Sequence, residues 1–196
     1  MNEITARLTA AATPSAPSLV LRPWSPEDAP ALVGCGEDAE LRRRTTFAVN
    51  DEADADRWIR DSERGWQEGN RFAFAVLEVE EGGGAGQLAG QVVLKGVTPG
   101  SSTAEVGYWT AARARGRGVA PRAVAAVTEW AFATFGEGGV QGAVEGGGLK
   151  TLELLHQVDN VNSCRVAEKS GFALRAILPA SPPAYPNDGH LHVLER

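Results

Sequence analysis

Apolar and polar positions along this chain change period repeatedly, and each change marks an element. Leu19-Val20-Leu21-Arg22-Pro23-Trp24 reads as a short strand. Ser25-Pro26-Glu27-Asp28 follows with a Ser cap, Pro at the first helical position and acids in the first turn, which predicts a helix start. Over residues 52–67, Ala55, Trp58, Ile59 and Trp66 fall at helical spacing, with Gly69 placed to end the helix. Residues 72–79 predict a strand, 81–86 a turn or flexible loop, and 88–97 the returning strand of an antiparallel hairpin. Another strand is predicted over 104–109. The strongest periodicity lies in Val119–Phe135, where Ala120, Val124, Val127, Ala131 and Phe135 share one face and Pro121 sits in the first turn, where it is tolerated. Seven glycines in 136–148 predict a long mobile excursion. A strand over 149–158, a short helix over 163–170 ended by Gly171, and strands over 172–178 and 191–196 complete the chain. No internal repeat occurs. The order predicts an α/β fold, of the α+β mixed-sheet kind.

Composition narrows the picture. Residues 1–18 are rich in Ala, Thr, Ser and Pro without periodicity and are expected to form a flexible leader, leaving 19–196 as a single domain. No run approaches the roughly 20 apolar residues of a membrane helix, and no secretory signal is visible, so a soluble cytoplasmic protein with no membrane partner is expected. The two cysteines, Cys35 and Cys164, have no metal-like spacing and read as reduced thiols. A net charge of −6 argues against nucleic acid as a partner and is compatible with a cationic amine.

The chemistry concentrates after the strand at 104–109. Arg113-Ala114-Arg115-Gly116-Arg117-Gly118-Val119-Ala120 is a glycine-rich turn entering the long helix. Such an entrance leaves first-turn N–H groups unpaired at the positive end of the helix dipole, and glycine lets an anion approach the backbone. A pyrophosphate-bearing ligand is the natural occupant. The ATP-binding loop requires Gly-Lys-Ser/Thr, which is missing, and the dinucleotide fingerprint requires a glycine where Pro121 stands.

Arg115-x-x-Gly118-x-Ala120 resembles the Arg/Gln-x-x-Gly-x-Gly/Ala signature of the GNAT family of N-acetyltransferases. Asn160-Val161-Asn162-Ser163-Cys164-Arg165-Val166-Ala167-Glu168-Lys169-Ser170-Gly171-Phe172 is similar to a second block of that family, in the branch that acetylates ribosomal-protein N-termini (RimJ/RimL-like). Leu21-Arg22-Pro23, Trp58-Ile59 and Gly107-Tyr108-Trp109 agree with it. The resemblance implies a mostly antiparallel central sheet flanked by helices, with two parallel strands splayed apart to admit acetyl-CoA. It further implies that the main chain of Gly107, Tyr108 and Trp109 contacts the pantetheine arm. Arg115, Gly116, Arg117, Gly118, Val119 and Ala120 would hold the pyrophosphate. Asn160 would bind the arm from the other wall, and Ser163 would lie near the thioester sulfur. Dimers are common in the family, and an exposed sheet edge would allow a homodimer.

Acetyl transfer to an amine needs a base to take the amine's proton and a donor for the oxyanion, while the leaving thiolate needs little protonation. Glu105 is the candidate base, against its reading as a solvent-facing strand residue. Many relatives carry a tyrosine seven residues after the motif asparagine; Ala167 stands there, so Ser163 is the candidate acid, against a role as helix cap and cofactor contact only. No metal is expected: His190 and His192 alternate near the C-terminus without a third ligand, and His156 reads as structural. Cys164 reads as a small buried hydrophobe, Arg42-Arg43-Arg44 as a solvated helix face, and Trp24, Trp58 and Trp66 as core or groove lining. Transfer of acetyl to a primary amine, on a peptide N-terminus or a small molecule, is the leading expectation. A catalytically weakened acyl-CoA-binding protein and an RNA-binding module are the alternatives.

Overall fold

The computed structural model describes residues 6–80, 84, 86–139, 148–183 and 186–196. Most of the predicted turn at 81–86 and most of the glycine-rich excursion at 136–148 lie outside the described residues. In chain order the elements are β1 (Leu8–Ala10), β2 (Ser18–Pro23), a short 3-10 turn, α1 (Ala29–Cys35), α2 (Ala39–Arg44), α3 (Glu52–Glu68), β3 (Arg71–Val79), β4 (Gln87–Lys95), β5 (Thr103–Thr110), α4 (Val119–Phe135), β6 (Thr151–Gln157), α5 (Val161–Lys169), β7 (Ala173–Leu178) and β8 (Gly189–Glu195). The strands form one eight-stranded sheet in the order β1-β2-β3-β4-β5-β6-β8-β7. Every neighbouring pair is antiparallel except β5–β6, which is parallel and joined through α4.

Alternation along the strands explains why helices cover both faces. On β3, Phe72, Phe74 and Val76 enter one core with Val124, Val127 and Ala131 of α4, whereas Ala73 and Ala75 face the other core with Ala55 and Ile59 of α3. The small residues on the second face let α3 lie close to the sheet. Gly69, in the left-handed conformation (φ 71°), ends α3, as the sequence predicts. Among the described residues, no helix is long and apolar enough to cross a membrane.

Two expectations are corrected. Residues 8–10 of the supposed leader pair with β2, Leu8 opposite Leu21, and so extend the sheet. The guanidinium of Arg122 on α4 donates to the carbonyls of Ala11 (3.0 Å) and Pro17 (2.9 Å), fastening the connecting segment. The predicted helix start at Ser25 is a single 3-10 turn before α1. Its capping box is present: the Ser25 hydroxyl accepts from Glu27 N–H and the Asp28 carboxylate accepts from Ser25 N–H.

Asp28 also explains Arg22. The Asp28 carboxylate is buried and receives both terminal nitrogens of Arg22, at 2.7 and 2.8 Å. Removing one partner of a buried bidentate pair strands the other charge. Arg22→Met is expected to cost about 3 kcal/mol, lowering Tm by about 6–12 °C in a thermal melt. A shift of under about 2 °C would show that the pair contributes little to folding.

Candidate active site

The parallel pair β5–β6 holds together only at its start. Thr103, Ala104 and Glu105 pair with Thr151, Leu152 and Glu153, and the two strands then separate although β5 runs on to Thr110 and β6 to Gln157. The split opens a cleft of about 720 Å³ lined by Gly107, Tyr108 and Trp109 on one side and by Leu154, Leu155 and His156 on the other. The glycine-rich turn and the start of α4 form one end of it, through Arg115, Gly116, Gly118, Val119 and Ala120, while Asn160 and Ser163 enter from α5 and its cap. Eleven of the twelve residues singled out from the sequence thus meet in one cleft.

Arg117 is the twelfth, and its side chain goes elsewhere. Its guanidinium pairs with the buried carboxylate of Glu78 on β3, which Arg113 also approaches at 3.4 Å. Arg115 lines the cleft but pairs with Asp38, the residue that caps α2, and donates to the Thr110 carbonyl at 3.2 Å. All three loop arginines therefore have protein partners.

The backbone at this end is otherwise arranged. Gly118 caps α4 with φ 71° and makes no side-chain capping bond; Gly116 has φ 77°. A Cβ placed on either glycine would meet nothing within 4 Å, so open space lies over the turn. That space adjoins the start of a 17-residue helix, whose first amides have no intrahelical partners. With the loop arginines paired, the groups this turn leaves for an anion are main-chain amides, with the dipole of α4 behind them.

The two faces of β5 present different groups. Tyr108 packs with the core beneath α4, while Trp109 belongs to the core beneath α3, stacked 6.3 Å from Trp24 and edge-on to Phe47 at 5.3 Å. The Tyr108 hydroxyl donates to the Ser163 hydroxyl at 2.8 Å. Burial pushes the Tyr108 phenol up to about 12, with the Ser163 hydrogen bond opposing the shift. Ser163 is itself buried, and its N–H donates to the Asn160 side chain at 3.2 Å, the cap of α5. Ala167, at the position where the resemblance leads one to expect a tyrosine, is fully buried in the core. The sequence reading missed the Tyr108 side chain, whose hydroxyl emerges beside Ser163 from the opposite strand.

Glu105 lies at the apex of the split, the last residue of β5 paired to β6. Its carboxylate meets the Lys95 ammonium at 2.6 Å, and both are partly exposed. On that side the cleft is lined by Arg44, Phe47, Trp58, Arg71 and Lys95. Burial lowers the pKa of Arg71 from its ordinary value, and Glu105 counteracts that.

The histidines also differ from expectation. His190 and His192 do not stand alone: His156 lies opposite His190 in the β6–β8 register, and Cys164 of α5 approaches His190 Nδ1 to 3.2 Å. Burial lowers the pKa of both His156 and His192.

Comparison with known proteins bears on this geometry. A search of curated protein sequences returns no significant match. Among solved structures, the chain is similar in fold to the microcin C7 self-immunity acetyltransferase MccE, in complex with acetyl-CoA and AMP (TM-score 0.73, 19% identity, covering 94% of this chain and 98% of that one). It is similar to Mycobacterium smegmatis RimJ in complex with CoA-disulfide (0.74, 20%, covering 97% and 86%). It is also similar to RimL, the ribosomal L7/L12 α-N-protein acetyltransferase, in complex with coenzyme A (0.74, 18%, covering 93% and 96%). The family model described as "Acetyltransferase (GNAT) domain" matches residues 18–173. With the split parallel pair and the uncapped helix on which that match falls, the chain belongs to the GNAT acetyltransferase family and is an acyl-CoA-dependent acetyltransferase.

Proposed function

We propose that this protein transfers the acetyl group of acetyl-CoA to a primary amine, on a peptide N-terminus or a small molecule, by direct attack in a ternary complex. The observation that carries the reading is the continuity of the cleft. It runs from the free amides at the start of α4, past the unpaired edge of β5, to Ser163 and Glu105. A diphosphate at Gly116–Ala120, pantetheine along Gly107–Trp109 and a thioester beside Ser163 fit that course. RimJ and RimL have this fold, which favours a peptide N-terminus among the amines.

In this account the amine enters from the side lined by Arg44, Phe47, Trp58 and Arg71, and main-chain N–H groups of β5 near Tyr108 and Trp109 stabilise the oxyanion. Thiolate departure is assisted by a relay: Tyr108 donates to Ser163, which leaves the Ser163 proton free to point at sulfur. Glu105 accepts the proton from the amine, directly or through water, after its carboxylate parts from Lys95. Glu105→Gln is expected to slow turnover by about tenfold or more at neutral pH while leaving coenzyme A affinity unchanged. Unchanged turnover removes Glu105 from the role.

The overall reading is tested by thiol release from acetyl-CoA against a panel of amines, including peptides with free N-termini. Amine-dependent release above background is expected. Tight acetyl-CoA binding with no release from any amine would instead support the catalytically weakened binder that the alanine at position 167 raises.

A further inference from the structure

Three imidazoles and a thiol converge at the end of the second cleft wall, and acetyl transfer uses none of them. His156 is the penultimate residue of β6; His190 and His192 lie two residues apart on the same face of β8, with His190 directly opposite His156 and His192 opposite Leu154. The ring centroids are 5.3 Å apart for His156 and His190, 5.1 Å for His156 and His192, and 5.9 Å for His190 and His192. Cys164, on α5, brings its Sγ to 3.2 Å from His190 Nδ1. One ligand atom from each of the four residues lies within 4.8 Å of every other.

The hydrogen bonding points to a missing partner. His192 is 2% exposed, and its ring nitrogens make no hydrogen bond of normal geometry, the Phe172 main chain offering only a weak contact. A buried imidazole whose nitrogens are poorly satisfied is costly unless something occupies the space between it and its neighbours. His156 lies 2.8 Å from the Gln157 carbonyl through Nδ1, which fixes the proton on that nitrogen and leaves Nε2 with a lone pair. That Nε2 is buried and also unpartnered. Such a carbonyl contact behind the ring is the usual outer support of a metal-bound histidine.

We propose that His156, His190, His192 and Cys164 bind one transition-metal ion of the zinc type. Three imidazoles and a thiolate match the ligand preference of Zn²⁺. Zn–N and Zn–S bond lengths imply ligand separations of about 3.3–3.6 Å in a tetrahedron, so the Cys164–His190 pair is already close and the others need to move inward by about 1 Å. Four protein ligands leave no open position, so the ion is structural and activates no water. Its consequence is mechanical: it ties α5, which carries Ser163, to β6 and β8, and so fixes the wall of the cleft that His156 helps to line.

The test uses the full-length, chelator-treated protein titrated with Co²⁺, a spectroscopic stand-in for Zn²⁺, and needs no acetyl transfer. Expected are one equivalent bound, the visible bands of tetrahedral cobalt and a near-ultraviolet thiolate-to-metal band, all displaced by Zn²⁺. At Zn²⁺ a hundredfold above Kd, Tm should rise by about 5–10 °C. Cys164→Ala should lose the near-ultraviolet band, and His190→Ala should weaken binding by about tenfold or more. Absence of tetrahedral bands in the wild type overturns the proposal, whatever the variants do. So does retention of both bands and affinity in folded Cys164→Ala and His190→Ala.

Discussion

Gly118→Val is expected to weaken coenzyme A binding by about a hundredfold or more while the protein stays folded. Two effects combine. Gly118 sits at φ 71°, where a β-branched residue is strained by about 1–2 kcal/mol, which should lower Tm by about 2–8 °C. Relief of that strain turns the peptide planes around residue 118 and disperses the amides at the start of α4. A hydrogen bond to a charged group contributes about 1.5–3 kcal/mol, so losing two of them from a diphosphate accounts for the expected fall in affinity. Arg115→Ala should do less, because its guanidinium is already held by Asp38 and the Thr110 carbonyl. Isothermal titration of both variants with coenzyme A checks the order of effects. A larger loss from Arg115→Ala than from Gly118→Val would shift the cradle from backbone to side chains.

Tyr108→Phe is expected to lower turnover by about ten- to hundredfold with little change in KM for acetyl-CoA. The substitution removes one oxygen, the donor to Ser163, and leaves the ring packed beneath α4. Thiols ionise near pH 8.5, so the leaving group needs only modest help, which keeps the effect at or below the lower end of general-acid contributions, about a hundredfold. Burial holds the phenol at about 12, above its ordinary value of 10. The protonated form therefore persists through the alkaline range, and loss of this acid should produce no falling limb in the wild-type rate below about pH 10. If Tyr108 and Ser163 act as one relay, Ser163→Ala should cost about as much as Tyr108→Phe, and the double variant little more than either. Fully additive losses would separate the two residues.

How much of this was legible in the sequence depended on the range over which each feature is determined. α4 shows itself because its apolar stripe repeats over 17 residues and glycines flank it at 118 and 136. The glycine-rich turn proposed as an anion cradle is legible for the same reason, since the turn and the helix it enters are contiguous. β1 is not: three residues carry no readable period, and what orders them is pairing with β2 and the reach of Arg122 across the sheet. α2, with six residues, is also short, and the Asp38 cap that starts it pairs with Arg115. The destination of Arg117 depends on Glu78, 39 positions earlier. The histidine cluster needs the β6–β8 register, which brings residues 156 and 190 face to face, and no local pattern encodes that register. The resemblance assigns Tyr108 a main-chain role; only the fold, which brings Ser163 of α5 within reach of β5 across the cleft, reveals the Tyr108 hydroxyl beside it.

On this reading, main-chain amides at the start of α4 hold the diphosphate of coenzyme A. Calorimetric titration of the wild type with coenzyme A and, separately, with pantetheine isolates that contact, because pantetheine keeps the arm and lacks the diphosphate. Measurable coenzyme A binding is expected, with an affinity for pantetheine weaker by about a hundredfold or more. Equal affinity for the two ligands would contradict it.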